Sequence, residues 1–427
     1  MNRHLSRGRA LRAAALTAVS AMVVAGCAPS QSAKSSSPDA GKVPDTIVIG
    51  STLPLTGAES KTGGRYKQGY ELAFEEINAA GGIDINGKKV KVELKLLDDT
   101  SDQAKAVNLA QRLITSDKVN AFLGTYSTSL VEAQSTVAEQ NKTPYVNGGG
   151  AATSIYTKGY KWIFGTLAPV ENLATTEMEW IDTQQKAGKL PKPAKVAIVW
   201  ENTSHGKDFR KGIQEFATKT GTYNVAVDES FALDGKDFSA VLNKVSAANV
   251  DLFMVDAHIP DFITMHRQYL SSGMCNKVLT YGARGTEADA KKALGQKGVN
   301  YILSAVWWNK QLGNEGLNKT FVESFTKKFG VAPEWYQAVS YEAARSLFTA
   351  IANAKSVDKT KVRDALSTLE IDSILPGGKL SFPADKGGQA SYPFVVQQNL
   401  PDGSSPIVYP ADIATGKGIA PNPGCKG

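Results

Sequence analysis

Side chains that could carry out catalysis are few and widely separated in this chain. After the N-terminal segment, three histidines remain, His205, His258 and His266. His258 and His266 would share one helical face only if a helix ran through Pro260, which proline disfavours. The sequence contains no HExxH, GxSxG, P-loop or GxGxxG motif and no paired cysteines with zinc spacing. We therefore predict that the protein is not an enzyme and has no cofactor and no metal site.

Two further groupings carry weaker chemical signals. Asp98 and Asp99 could pair as acid and base, but adjacent side chains on a strand point to opposite faces, which favours a structural loop. Gly148, Gly149 and Gly150 follow a predicted strand and could cradle an anion, although a glycine triplet alone is weak evidence. Neither grouping supports catalysis.

The N-terminal segment ends at Cys27, whose thiol could be modified covalently rather than take part in catalysis. Arginines at positions 3, 7, 9 and 12 precede the apolar run Ala13–Val24, an arrangement typical of a secretory signal. The run is shorter than the ~20 apolar residues of a membrane span. The sequence Val24–Cys27 resembles the lipobox of bacterial lipoproteins, which implies removal of residues 1–26 and attachment of a diacylglycerol to Cys27. The alternative is a soluble secreted protein in which Cys27 is incidental.

The composition fits an exported protein tethered to a membrane. Residues 1–26 contain four arginines and no acid, so their removal lowers the formal charge from +7 to +3. Lys and Arg form no run interleaved with aromatic residues, which argues against a nucleic-acid partner. Residues 27–44 contain five serines and no aromatic residue, so we expect a flexible tether after the lipidated cysteine. The folded part is then expected at the extracytoplasmic face of the bacterial cell membrane.

The two remaining cysteines, Cys275 and Cys425, form an even pair in a chain predicted to be exported. Such pairs commonly form disulfides, because extracytoplasmic compartments are oxidising. We predict a bond that attaches the irregular C-terminal segment to the loop 271–275. Two separate thiols are the alternative.

From Thr46 onward, short β-rich runs alternate with helical patterns, which is typical of parallel α/β units. The alternation restarts at Lys195 and ends in three helices between Leu317 and Leu369. Three later runs are predicted to form a small antiparallel patch, namely Lys379–Phe382, Tyr392–Gln397 and Ser405–Tyr409. Two doubly wound lobes follow from this pattern. Because ligands of such sheets bind beyond the carboxyl ends of the strands, two facing lobes define a cleft.

Several separated motifs resemble, in their order, the leucine/isoleucine/valine-binding family, the extracytoplasmic receptors of branched-chain amino-acid ABC importers. They are IGSTLPLTG (Ile49–Gly57), EEINAAGGI (Glu75–Ile83), DDTSD (Asp98–Asp102), KDFSA (Lys236–Ala240) and YEAA (Tyr341–Ala344). The resemblance covers nearly the whole chain after residue 26. It implies the type I periplasmic binding protein fold, an α/β fold with two Rossmann-like lobes joined by three crossing segments.

The resemblance also predicts the division of the chain between these lobes. One lobe is expected from residues 45–166 and 305–374, and the other from residues 167–304 and 375–427. The crossing segments are expected near Phe164–Ala168, Ser304–Trp307 and Asp372–Gly377. The ligand is then expected to close the two lobes by a hinge motion.

In that family, hydroxyls and backbone N–H groups after two consecutive strands hold the ligand's carboxylate in the first lobe. The matching stretches here contain Ser127 and Thr128 after one strand, and Ala151 and Thr153 after the next. The first stretch precedes a predicted helix, whose free N–H groups and dipole favour an anion. These four residues are predicted ligand contacts. The alternative is that the hydroxyls only cap the helix.

The second lobe departs from the family pattern. His205 and His258 fall, within one residue, where amino-acid binders carry tyrosines. Arg284 lies near the point where the family places an acid for the ligand's α-ammonium, and a guanidinium would repel that group. We predict that these three residues contact the ligand, unless Arg284 turns outward to Glu287. Asp256, at a strand end, could supply the missing negative charge.

Aromatic residues cluster in the same predicted region. They are Trp200, Trp307, Trp308, Trp335 and Tyr336, and Tyr336 matches a family position that packs on the ligand's apolar side chain. We therefore predict a receptor that captures a small carboxylate-bearing solute, favoured as an organic or aromatic acid, and delivers it to the permease subunits of an ABC importer. A branched-chain or related amino acid is the main alternative ligand, before a neutral amide or polyol. The alternative class is a sensor for a signalling partner.

Overall fold

A computed structural model describes residues 43–313 and 315–425 of the chain. The predicted signal segment, Cys27 and nearly all of the predicted tether lie outside the described residues. Within the described part, no helix is both long enough and apolar enough to cross a membrane.

The first lobe is built on a six-stranded sheet. Its strands are β1 (Thr46–Leu53), β2 (Ile83–Ile85), β3 (Lys88–Asp98), β4 (Ala121–Leu123), β5 (Tyr145–Asn147) and β6 (Ile163–Gly165), in the order β2-β3-β1-β4-β5-β6. All neighbouring strands are parallel except β2 and β3. The connecting helices are α1 (Ser60–Ala79), α2 (Gln103–Thr115) and α3 (Thr128–Gln140). The short central strands β4 and β5 are buried throughout, as expected of strands covered by helices on both faces.

The second lobe repeats this arrangement. Its parallel strands are β7 (Ala194–Glu201), β8 (Tyr223–Phe231), β9 (Leu252–Asp256), β10 (Val278–Thr280) and β11 (Leu303–Val306), in the order β11-β10-β9-β7-β8. The helices of this lobe are α4 (Val170–Lys186), α5 (Ser204–Thr220), α6 (Ser239–Ala248), α7 (Ile259–Ser271) and α8 (Ala288–Val299). The first of these helices, α4, is not anticipated by the sequence analysis.

Three helices then return to the first lobe: α9 (Gly316–Phe329), α10 (Trp335–Ala354) and α11 (Lys359–Ser367). Helix α10 packs along α1, and Gly69 permits the close approach, since a Cβ at that position would lie 2.0 Å from Ser340 Oγ. A capping box formed by Glu334 and Gln337 fixes the residue at which α10 begins. This start places the aromatic first turn of α10 beside the second lobe.

The C-terminal strands form two separate structures. β12 (Glu370–Asp372) and β13 (Lys379–Ser381) make a two-stranded ribbon, whereas β14 (Val395–Gln398) and β15 (Ile407–Tyr409) extend the second sheet antiparallel to β11. The prediction of one antiparallel patch is therefore wrong. Short alternating runs reveal a strand but not its partner, and here the partners lie in different lobes.

The chain passes between the two sheets three times. The first passage, 166–169, overlaps the expected segment Phe164–Ala168, and the second follows β11, which itself belongs to the second sheet. The third passage lies at 390–394, later than the expected Asp372–Gly377. The reason is that Gln389 still pairs with Gly165 of the first sheet, and the Gly165 N–H donates to Gly388 O over 3.0 Å.

A disulfide joins Cys275 and Cys425, whose Cα atoms are 5.3 Å apart. Near the bond, the Asn422 N–H donates to Lys277 O over 2.8 Å, beside the start of β10. The bond therefore attaches the C-terminal segment to the second lobe.

Replacing both Cys275 and Cys425 by serine should lower the free energy of unfolding by ~4–5 kcal/mol, because the bond restricts the unfolded chain over a long loop. The two cysteines are 150 residues apart in the sequence. Urea unfolding of the wild-type protein and the variant, each with and without reductant, would measure the effect. Reductant should destabilise only the wild type, and two labelled thiols in the denatured, unreduced wild type would contradict the bond.

Candidate functional site

The candidate site lies where the carboxyl ends of the two sheets face each other. In the first lobe, Ser127 occupies the N-cap of α3 and Thr128 is its first helical residue. The side chain of Ser127 makes no capping hydrogen bond, so helix capping does not account for this hydroxyl. The Ala151 N–H, after β5, donates to Thr128 Oγ1 over 3.3 Å. The two predicted stretches of the first lobe are therefore held together at the sheet edge.

An enclosed cavity of about 10 Å³ lies at this point, with room for about one water molecule. Six predicted contact residues line it, namely Ser127, Thr128, Ala151, His205, His258 and Arg284. Five further residues complete the lining: Tyr126, Gly149, Leu167, Trp307 and Trp335. None of these described lining residues is acidic. The two lobes are thus closed on a small cavity with polar and aromatic walls.

Two predicted contact residues, Thr153 and Tyr336, do not line the cavity. The Thr153 N–H donates across the lobes to Asp208 Oδ2 over 2.8 Å. The Tyr336 hydroxyl donates to Glu287 Oε1 over 2.5 Å. Because successive helical residues point about 100° apart, Trp335 rather than Tyr336 faces the cavity.

Arg284 lines the cavity from the second lobe and is only 2% exposed. Its Nη1 donates to Asp256 Oδ1 over 3.3 Å, and its Nη2 donates to the Tyr126 hydroxyl of the first lobe over 3.2 Å. It does not turn outward to Glu287, which pairs with Arg65. A guanidinium has five N–H donors, and its Nε has no hydrogen-bond partner among the described residues. Arg284 can therefore donate to a further acceptor.

Asp256 ends β9 and is fully buried between Arg284 and His205. Its Oδ2 lies 2.7 Å from His205 Nδ1. Burial raises the pKa of Asp256, but the contacts with His205 and Arg284 outweigh burial and hold that pKa below its usual value. Asp256 therefore stays ionised and partly compensates the charge of Arg284.

His258, at the N-cap of α7, lies between two carboxylates from different lobes. Its Nδ1 is 2.8 Å from Glu59 Oε1 of the first lobe, and its Nε2 is 3.4 Å from Glu201 Oε2 at the end of β7. Burial lowers the pKa of His258, but Glu201, Tyr126 and Glu59 outweigh burial and raise it well above its ordinary value. The imidazole is therefore positively charged at neutral pH. Sequence reasoning missed both carboxylates, since neither follows a recognisable ligand motif.

Aromatic rings form the wall of the cavity near the hinge. The centroids of Trp307 and Trp335 are 4.7 Å apart, and Trp307 Nε1 donates to Ala168 O in the first crossing segment over 2.8 Å. Trp335 Nε1 is buried and has no hydrogen-bond partner among the described residues. Trp200 and Trp308 donate to other side chains and do not line the cavity. The wall thus offers apolar surface together with one unpaired N–H donor.

An interlobe ion-pair cluster centres on Arg65 of α1. Its guanidinium lies 2.8 Å from Glu287 and 3.1 Å from Asp289 in the second lobe, and 2.9 Å from Glu334 in the first. The Arg65 side chain is only 13% exposed, so these contacts are weakly screened by solvent. The cluster therefore favours the closed arrangement of the lobes.

Replacing Arg65 by alanine should shift the protein without ligand toward an open arrangement, because the buried Glu287 and the partly exposed Asp289 of the second lobe lose their partner in the first. Charge-assisted hydrogen bonds contribute about 1.5–3 kcal/mol each, so we expect solute affinity to fall about tenfold or more. Small-angle scattering would report a larger radius of gyration. Arg112→Ala is the matched control, since Arg112 pairs with Asp117 on the surface of one lobe. Equal radii for all three proteins would show that the cluster does not hold the lobes.

The two doubly wound lobes are connected by three passages of the chain and are closed on a buried cavity. This arrangement is typical of a hinged solute-binding protein rather than an enzyme. The predicted α/β architecture is confirmed. Residues 46–404 match a family model described as periplasmic binding protein. The chain belongs to this family, and membership implies an extracytoplasmic location.

The chain is similar to proteins that bind different kinds of solute. It is 26% identical over 378 residues to the Leu/Ile/Val-binding protein homolog 8 of Brucella abortus (strain 2308), covering 87% of this chain and 92% of that relative. The leucine-binding protein LivK of Thermotoga maritima MSB8 superposes with a TM-score of 0.74 at 23% identity, over 84% of this chain and 97% of that one. A solute-binding protein of R. palustris in complex with benzoate gives a TM-score of 0.71 at 19% identity, over 89% and 99%. The predicted family resemblance is thereby confirmed.

Proposed function

We propose that this protein is an extracytoplasmic lipoprotein that captures a small carboxylate-bearing solute in the interlobe cleft and delivers it to the permease of an ABC importer. The observation that carries the proposal is Arg284, a buried guanidinium that lines the cavity and whose Nε has no hydrogen-bond partner among the described residues. Opposite it lie Ser127, Thr128 and the backbone around Ala151 in the first lobe. This combination of a fixed cation and hydroxyl groups suits a carboxylate.

An organic or aromatic acid is the favoured ligand. The cavity wall contains Trp307 and Trp335, and the unpaired Trp335 Nε1 is a second donor for an acidic or phenolic oxygen. No acidic residue lines the described cavity, and the nearby Asp256 already accepts from Arg284 and His205. An α-ammonium would therefore find no carboxylate on the wall of the cavity. A protein of the same fold, from R. palustris, is known in complex with benzoate, so this fold can hold an aromatic acid.

A branched-chain or related amino acid is the alternative ligand, supported by the similarity to Leu/Ile/Val-binding proteins. The alternative class, a ligand sensor, would require a signalling partner in place of a permease. Permease and ATPase genes beside the gene for this protein would favour transport.

Solute capture requires the lobes to open. The closed cavity of about 10 Å³ holds no more than about one water molecule, so an organic acid enters only if the walls separate. The hydrogen bond between Arg284 and Tyr126 spans the two lobes and must break during opening. A carboxylate that then accepts from Arg284 replaces this contact and allows the lobes to close on the solute.

Replacing Arg284 by alanine should reduce the affinity for an acid ligand at least a hundredfold, since loss of one partner of a buried ion pair costs ~3–5 kcal/mol. Calorimetric titration with benzoate, related aromatic acids, leucine, isoleucine and valine would measure the affinities. Arg210→Ala is the matched control, because Arg210 pairs with Asp228 outside the cavity. Circular dichroism would confirm that each variant is folded. Tight binding of a zwitterionic amino acid, unchanged in Arg284→Ala, would exclude the favoured ligand class.

Replacing Cys27 by alanine should release the protein from membranes, because the lipid is expected to be attached through the thiol at this position. The tether at 27–44 has no apolar run that could hold the bilayer instead. Fractionation of cells before and after a carbonate wash would compare the wild type with Cys27→Ala. Recovery of the variant in the washed membrane pellet would contradict lipid anchoring through Cys27.

A further inference from the structure

Two helix N-termini, one from each lobe, meet beside the cavity. Glu59 is the N-cap residue of α1 in the first lobe, and its side chain makes no capping hydrogen bond. Its carboxylate reaches instead to His258, the N-cap residue of α7 in the second lobe, with 2.8 Å between Glu59 Oε1 and His258 Nδ1. Only 11% of the Glu59 side chain and 5% of the His258 side chain are exposed. A buried carboxylate–imidazole contact therefore spans the two lobes.

The positive charge of His258 is compensated from both lobes. A helix dipole has its positive end at the N-terminus, which disfavours a cation at the start of α7. Two carboxylates offset this effect, namely Glu59 of the first lobe and Glu201 of the second, whose Oε2 lies 3.4 Å from His258 Nε2. When the lobes separate, His258 keeps Glu201 but loses Glu59.

Lobe closure therefore changes the affinity of His258 for its proton. In the closed arrangement, burial lowers the pKa of His258, but the surrounding acidic groups outweigh burial and raise that pKa well above its ordinary value. In the open arrangement, the imidazole is exposed to water beside one carboxylate, so its pKa lies closer to the ordinary value. The protein should consequently take up a proton at His258 when the lobes close.

Glu59 does not exchange a proton in the same pH range. Burial raises the pKa of Glu59, but His258, Arg284 and Thr62 outweigh burial and hold that pKa below its ordinary value in the closed arrangement. In the open arrangement, the carboxylate is exposed to water at the N-terminus of α1, where the helix dipole favours an anion. Glu59 is therefore ionised near neutral pH in both arrangements, and only His258 of this pair changes its protonation.

The other titratable and charged groups around His258 do not replace Glu59 as its partner in the first lobe. Tyr126 lies in the first lobe, but burial raises the pKa of its hydroxyl, which stays neutral. The remaining groups belong to the same lobe as His258 and keep their distances from it when the lobes separate, namely Glu201, His205, Asp256, Asp261 and Arg284. Opening thus changes the surroundings of His258 chiefly through Glu59.

We propose that Glu59 is a positioning residue for solute binding, which pairs with the protonated imidazole of His258 as a latch that holds the two lobes closed. Glu59 does not line the described cavity, so it acts on the solute only through His258 and through lobe closure. The latch goes beyond the proposed function, because it operates on the lobes whichever solute the cleft binds. It can therefore be measured without any solute.

The latch makes lobe closure depend on pH in a defined direction. Below the pKa that His258 has in the open arrangement, the imidazole is protonated in both arrangements and the latch contributes fully. The contribution is lost as the pH rises through the higher pKa of the closed arrangement. Between these two values, the closing equilibrium weakens by at most about tenfold per pH unit, because closure takes up one proton. On the acidic side, the latch is lost as the pH falls through the lowered pKa of Glu59.

The test is small-angle scattering of the solute-free protein as a function of pH. The radius of gyration of the wild type should increase between about pH 6 and about pH 9, as His258 loses its proton. Glu59→Gln keeps the size of the side chain but removes its charge. This variant should have a larger radius than the wild type at about pH 6 and a smaller increase with pH. A radius of the wild type that does not change with pH would overturn the proposal.

Glu287, a second group at the lobe interface, titrates in the same range. Burial raises the pKa of Glu287 to about 8, in spite of the nearby Arg65. Because Glu287 contacts Arg65 and Tyr336 rather than His258, its contribution is the same in the wild type and in Glu59→Gln. The difference between their pH profiles therefore isolates the latch.

Glu132→Gln is the matched control. Glu132 is also a first-lobe glutamate that contacts the second lobe, but it accepts from the Ser204 hydroxyl over 3.0 Å, and that group does not titrate in this range. Its radius should change with pH as the wild type does. Glu59→Asp keeps the charge and should retain part of the change, whereas His258→Gln should reduce the change as Glu59→Gln does. Near-ultraviolet circular dichroism would verify the fold of each variant. If folded Glu59→Gln or His258→Gln followed the pH profile of the wild type, the contact would be structural only and the proposal would be wrong.

Discussion

The ionised carboxylate of Asp256 is the constraint on which the rest of the cleft depends. It lies fully buried at the end of β9 and accepts from Arg284 on one oxygen and contacts His205 with the other. A buried charge without partners would cost several kcal/mol, so both partners must stay beside it. Asp256 thereby holds Arg284 at the cavity, and Arg284 reaches across to Tyr126 of the first lobe. The position of Arg284 at the lobe interface therefore depends on a buried charge of the second lobe.

Most of the fold could be predicted from the sequence, because parallel α/β units leave a local signal of alternating strands and helices. β1 begins at Thr46, where the predicted alternation starts, and the three helices α9–α11 lie within about one residue of the predicted stretch Leu317–Leu369. Helix α4 was missed, and its buried face includes a carboxylate, Glu177, which interrupts the apolar pattern. Glu177 accepts from Thr280 and from the backbone of β11, a pairing between distant parts of the chain that local patterns cannot reveal. The third crossing was misplaced for the same reason.

The candidate site could be predicted only in part. Thr128 and Arg284, which follow strands in the chain, were identified because they match positions at which the resembled family binds its ligand, and both line the cavity. Trp335 and Tyr336 are adjacent in sequence, and the start of α10 decides which of them faces the cavity. Glu59 and Glu201 were missed because each acquires its significance only through His258, which lies far from both in sequence. The family resemblance predicted where the cleft lies. Which charged residues of the cleft contact each other could be seen only in the three-dimensional structure.

Because the closed cleft has almost no free volume, a solute cannot simply fill an existing cavity. It has to replace a contact that the two lobes make with each other. In the closed arrangement, Arg284 donates to the Tyr126 hydroxyl, a neutral acceptor in the first lobe. Hydrogen bonds between charged groups are roughly twice as strong as those with neutral partners, so a solute carboxylate is a better acceptor than the hydroxyl it replaces. An uncharged solute would gain no such advantage and would still have to separate the lobes. Selectivity for acids would therefore arise from the contact that the protein makes with itself when no solute is bound.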